Sequence, residues 1–283
     1  MMLSKSAWIR KYGSLGYLVI SFAFSWALFL PFVKVENALD SRYFLIARIL
    51  ASFGPALAAL LLLWLAEGRD AVKNLLKDAA AVTRSPKWIA ASAALAVLAV
   101  VIPLGVLIYM HQISLAVVSF GSLLMLIPNY ILSLLLFGSV ADEIGWRGYL
   151  LPRLQQSLTA VSASAVIGLL WGLWQLPTYY FGGLVESNLS LTWLFIETVA
   201  MSVILTWIAN SSKNLVGVIV FNGVYRTLTQ FFLPLAEASG SIDLFQQLYT
   251  GVLVNMALIV LLFCGGKTLV FSYQPRKTGE RKR

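Results

Sequence analysis

The 283-residue chain contains one cysteine, one histidine and only 12 Asp+Glu. A single thiol, Cys264, excludes an internal disulfide and a thiolate metal cage. It lies inside an apolar run and so says nothing about redox compartment. A single imidazole, His111, excludes most histidine-based hydrolytic chemistry. Charge is scarce as well, at 12% of residues against about 25% in soluble proteins. With 59% hydrophobic residues and a mean hydropathy of +0.83, a water-soluble globule is excluded. The 21 Lys+Arg give a net charge of +9. They sit between long uncharged runs, not in a basic patch interleaved with aromatics, which argues against nucleic acid as a partner and for the lipid bilayer.

What the chain has is apolar length. A hydrocarbon core of about 30 Å takes roughly 20 residues of helix to cross. Eight runs satisfy that, at 15–33, 44–66, 88–110, 122–141, 160–181, 189–209, 214–236 and 248–266. The spacing predicts an all-α polytopic membrane protein, an eight-helix bundle forming one integral domain over residues 1–283. The first run follows Lys5, Arg10 and Lys11 as a signal peptide would. It is longer than a typical signal core and no small-residue cleavage site follows, so it is read as a retained helix. With the N-terminus in the cytoplasm, seventeen Lys and Arg fall inside against Lys34 and Arg42 outside, which places both termini on the cytoplasmic side of a cell membrane. Residues 67–87 repeat Val72, Leu75, Leu76, Ala79 and Val82 on one face and Lys73 and Lys77 on another, the pattern of a helix lying on the headgroups. A basic tail occupies 272–283.

Ionisable groups inside a bilayer cost at least about 2.5 kcal/mol each and mark candidate sites. The fourth run and its continuation carry Asp142, Glu143 and Arg147 in DEIGWRGYLLPRLQ, the sixth carries Glu197 and the seventh Arg226. Arg48, near the outer end of the second run, is expected to snorkel to water. At about 1.5 Å per residue, and with the fourth helix continuing to about residue 152, Asp142, Gln175, Glu197, Asn222 and Arg226 share one layer roughly 12 to 22 Å from the cytoplasmic end. The layer is expected to be reachable from that side alone. Residues four apart share a helix face, so Glu143 meets Arg147 and Asn222 aligns with Arg226. A lone guanidinium there is untenable, so Arg226 is expected to pair with Asp142 or with Glu197.

Four segments in order, FGPALAALLL at 53–62, DEIGWRGYLLPRLQ at 142–155, GLLWGLWQLP at 168–177 and LTWIAN at 205–210 followed by VIVFNGVY, resemble the CPBP family. These are the CAAX prenyl protease and bacteriocin-processing intramembrane proteases, also called Abi proteins. The resemblance covers roughly residues 44–226. Its pattern is EExxxR on one helix, a His four after an apolar or aromatic residue on the next, and HxxxN on a later one. The first Glu is taken to activate water, and the His and Asn residues to stabilise an oxyanion or hold a metal. Glu143 and Arg147 match the second Glu and the Arg. Asp142 stands for the first Glu, Gln175, four after Trp171, for the first His, Asn222 for the second His and Arg226 for the closing Asn.

Those departures set the expected function. Asp shortens the carboxylate by about 1.5 Å, where a misplacement near 1 Å costs on the order of 100-fold. Amides donate to an oxyanion, but neither ligate zinc as imidazole does nor cycle a proton near neutral pH. No catalytic metal or cofactor is expected. The leading expectation is an inactive or weakly active protease homologue that binds a hydrophobic peptide, a prenylated tail or another membrane protein from the cytoplasmic side. The alternative is a working intramembrane endopeptidase for CAAX or bacteriocin-leader peptides, with Asp142 or Glu143 as general base. A third reading, a small secondary transporter, rests on six prolines within the runs (Pro31, Pro55, Pro103, Pro128, Pro177 and Pro234).

Overall fold

A computed structural model describes residues 5–32, 42–82, 86–114, 118–136, 138–181 and 190–271. Lys34, Arg84, the tail 272–283 and parts of several loops lie outside the described residues. The architecture is all-helical: α1 (Lys5–Ala27), α2 (Arg42–Ala51), α3 (Gly54–Glu67), α4 (Arg69–Ala79), α5 (Pro86–Tyr109), α6 (Phe120–Leu124), α7 (Leu126–Leu135), α8 (Ser139–Glu143), a π-helical segment (Ile144–Leu150), α9 (Leu151–Leu154), α10 (Ala160–Phe181), α11 (Leu191–Ser212), α12 (Val216–Ala238) and α13 (Ile242–Cys264). Among the described residues seven spans are long and apolar enough to cross a membrane, and the bent pair Phe120–Leu135 and Ser139–Leu154 makes an eighth if it is one span.

Two corrections concern continuity. The fourth run does not continue straight to residue 152, because its two halves are bent by 42° and Gly138 sits at φ +93 between them. The second span breaks at Ser52–Phe53, between α2 and α3. Broken backbone at membrane depth leaves carbonyls that must find donors, and here one break serves the other: the single hydroxyl hydrogen of Ser52 is shared between Ile49 O at 2.7 Å and Leu136 O at 3.0 Å. Pro55 contributes to the second break: in the first turn of α3 it lacks the N–H that would bind Ala51 O, which accepts from Ser25 Oγ at 2.7 Å instead. Pro103, Pro177 and Pro234 lie inside unbroken α5, α10 and α12.

The bundle packs as lipid solvent dictates. Without a hydrophobic force between helices, close contact favours small residues inward and large ones facing the tails. On α3 and α5 the residues Ala58, Ala59, Ala96 and Ala99 are fully buried, whereas Leu61, Trp64, Leu98 and Ile102 are exposed. A side chain at Gly168 would meet Val199 Cα at 2.5 Å, so α10 approaches α11 at backbone contact. The pairings α1 with α3, α10 with α11, α5 with α12 and α11 with α13 build the rest.

The two ends of the bundle are chemically unlike. At one end Ala160 N donates to Lys267 O, Leu215 N to Asp78 O and Arg153 Nη2 to Glu67 Oε1. The exposed Lys73, Lys77, Lys87, Lys213 and Lys267 cluster there, and this is called the basic end. At the other, Ser241 Oγ donates to Gln112 Oε1 and Ser190 N to Gln246 Oε1. The amphipathic helix predicted at 67–87 forms as α4, ending at Ala79, on the basic end. It is docked onto the bundle: Val72, Leu75 and Ala79 pack on the core, while Leu76 and Val82 stay exposed.

Candidate functional site

The DEIGWRG string forms the end of α8 and the start of the π-helical segment, a wide-turn element frequent at functional sites. Its position is set by close approach: a side chain at Gly145 would meet Pro55 Cβ at 2.5 Å and Tyr17 Oη at 2.6 Å. Tyr17 in turn packs edge-on to Trp146 and stacks on Tyr149. The string is therefore clamped against α1 and α3, with Asp142 and Glu143 fully buried.

The two adjacent carboxylates take different partners from α12. Glu143 Oε1 accepts from Asn222 Nδ2 at 2.7 Å and from Arg147 Nη1 at 3.3 Å. The Arg147 guanidinium lies 5.0 Å from the Trp171 ring centroid, an ion pair closed by a cation–π contact. Asp142 Oδ2 accepts from Arg226 Nη2 at 3.0 Å. Asn222 and Arg226 do share a face of α12, as their spacing predicts, but each reaches its own carboxylate. Of the two partners open to Arg226, the structure selects Asp142. Glu197 Oε1 instead accepts from Tyr225 Oη at 2.8 Å.

Beside this layer lies a cavity of about 180 Å³. Glu197, Asn222, Arg226 and Gln175 line it, together with Arg48, Tyr225 and Tyr249, but Asp142 and Glu143 do not. Arg226 is 22% exposed and stands between the cavity and Asp142. Sequence reading missed Arg48, Tyr225 and Tyr249. Arg48, expected only to snorkel to water, lines this cavity, and the adjacency of Tyr225 to Arg226 was the available signal for the tyrosine.

The cavity's lining residues fall in the second half of α10 (Trp171 to Thr178), the first half of α11 (Leu194 to Met201) and the first half of α13 (Tyr249). That is the half of the bundle remote from the basic end. His111 sits at this remote end, exposed and at φ 56, and does not line the cavity.

The metal that the family pattern implies does not fit these residues. Among the described residues there is no cluster of three His, Cys, Asp or Glu suited to hold an ion. The ligand atoms near Asp142 are carboxylates and amides, and the guanidinium of Arg226, bonded to Asp142 Oδ2, puts a fixed positive charge where a cation would bind.

Comparison with known proteins places this geometry. Residues 125–228, which contain every residue of the layer, match the family described as Type II CAAX prenyl endopeptidase Rce1-like. The chain carries a CAAX-protease-like core. Over 140 residues it is 28% identical to CAAX prenyl protease 2 of Methanococcus maripaludis, covering 47% of this chain and 49% of that protein. The match thus spans about half the length of this relative. The CAAX-protease-like core, with its many apolar helices, sits in an integral membrane protein.

Proposed function

We propose that this chain is a CAAX-protease-like membrane protein that binds a hydrophobic peptide, a prenylated tail or a segment of another membrane protein, and does not hydrolyse it at an appreciable rate. The observation that carries this reading is the Arg226–Asp142 bond. A carboxylate oxygen accepting from a guanidinium at 3.0 Å has that lone pair committed, and the cation bars the way from cavity to carboxylate. General-base catalysis requires the base within hydrogen-bond reach of the water it deprotonates. Binding asks only for the cavity, whose amides, hydroxyls and guanidinium groups suit a short stretch of peptide backbone while the apolar remainder of the ligand stays among the helices and lipid. The distribution of Lys and Arg supports cytoplasmic termini. The cavity then lies in the outer half of the membrane, and the ligand segment arrives within the bilayer or from the far side.

The competing reading, a working endopeptidase, draws on one observation: Asp142 Oδ1 accepts no hydrogen bond among the described residues. The assay is direct. Purified full-length chain in detergent, offered a fluorescent prenylated CAAX peptide and a bacteriocin leader peptide, should retain label in a binding measurement and show no turnover. Turnover abolished by Asp142→Asn or Glu143→Gln would make it an enzyme.

A further inference from the structure

At the basic end, on the membrane-facing side away from the polar layer, α5, α11 and α13 diverge around a groove of about 600 Å³. Its walls include Trp88 and Leu95, Ile204 and Trp207, and Val260 and Phe263, with Ser211 as the polar residue of the lining. Trp88 and Trp207 meet edge to face at 5.1 Å. Along α13 the groove runs from Met256 to Cys264, about 12 Å of rise. That is most of one apolar leaflet of roughly 15 Å. The groove is a slot of leaflet depth, apolar along its length apart from Ser211.

Its mouth carries three lysines, with Asp78 also at this end, its carbonyl accepting from Leu215 N. Lys87 directly precedes Trp88, Lys213 follows Ser211 by two residues and Lys267 follows Cys264 by three, and all three lysines are exposed. The segments that build the groove carry no opposing charge: the sequence has no Asp or Glu at 79–141, 198–236 or 244–279. The mouth is also held in place. Asn210 Nδ2 donates to Thr268 O at 2.8 Å, and Leu269, fully buried with φ 50, turns Val270 and Phe271 back onto the groove. Immediately after Phe271 the sequence continues into Arg276, Lys277, Arg281, Lys282 and Arg283.

We propose that this groove is a binding site for an anionic phospholipid, one acyl chain lying between Trp88, Trp207 and Phe263 and the headgroup phosphate held by Lys87, Lys213 and Lys267. A zwitterionic lipid fills the slot equally well but gains nothing from the lysines, so selectivity resides in the headgroup. Juxtamembrane lysines each favour anionic lipid appreciably, and three predict a preference of about tenfold or more.

The test uses the delipidated full chain in nonionic detergent, titrated with dioleoyl phosphatidylglycerol, dioleoyl phosphatidylcholine or inorganic phosphate while the melting temperature is followed. Phosphatidylglycerol should raise it at about a tenth of the phosphatidylcholine concentration or less, inorganic phosphate should not, and added salt should shrink the difference. The combined variant Lys87→Gln, Lys213→Gln and Lys267→Gln, three exposed positions outside the core, should respond alike to the two lipids. Phosphatidylglycerol with brominated acyl chains should quench the wild-type tryptophan emission more than that of Trp88→Phe/Trp207→Phe. Equal response of the wild type to both lipids, a response to phosphate alone, unchanged selectivity in the lysine variant or equal quenching in the tryptophan variant would each overturn the proposal.

Discussion

Glu143 and Asp142 are neighbours in the chain and equally buried, yet the protein treats them oppositely. Glu143 is held by Arg147 from its own segment and by Asn222, with Trp171 beneath the guanidinium; Asn222 and Trp171 line the cavity, whereas Glu143 and Arg147 do not. Asp142 is held by Arg226, whose guanidinium looks into the cavity. The first arrangement keeps the family-like pair and works as scaffold. The second sits where the family pattern has a neutral amide and, in the function proposed above, works as a plug. What differs is not the presence of charge at mid-membrane but which side of the charge faces the ligand.

Substitutions separate the two regions by size of effect. Arg147→Met leaves Glu143 buried with one amide for company, and removing one member of a buried pair costs about 3–5 kcal/mol. It should lower the unfolding midpoint in detergent more than any other single change in the layer. Arg226→Asn removes a charge-assisted bond to the buried Asp142 from a guanidinium that is itself partly open to the cavity, worth about 2 kcal/mol. Its midpoint should fall by less than that of Arg147→Met, and an unchanged midpoint would mean Arg226 is not what balances Asp142. Glu197→Gln keeps an acceptor for Tyr225 and should cost below about 1 kcal/mol. A loss at Glu197 as large as at Arg147 would erase the distinction between scaffold and cavity wall.

Much of this was legible in the sequence, for identifiable reasons. Helices from Pro86, Ala160, Leu191 and Val216 are uninterrupted apolar runs, and run length alone marks them. The Glu143–Arg147 pair follows from helical spacing, and the unsuitability of Arg226 as a lone cation demanded a carboxylate partner. The choice between Asp142 and Glu197 did not follow, because counting residues along a straight helix places both at similar depth. The break at Gly138 invalidates that count. It re-aims Asp142 toward α12, and no proline or charge announces it. The partner of the break, Ser52, is 86 residues away from Gly138 in sequence, a tertiary pairing invisible to local pattern. For the same reason the cavity's residence in the half remote from the basic end, and the inclusion of Arg48 in its wall, emerge only once the helices are packed.

The central claim is that Arg226 and Asp142 are energetically coupled, and a double-mutant cycle measures that directly. Wild type, Asp142→Asn, Arg226→Gln and the double variant are unfolded in the same detergent. The account predicts that the two single losses exceed what the double variant loses, with a coupling energy of about 1–3 kcal/mol. Losses that add to within about 0.5 kcal/mol would contradict it.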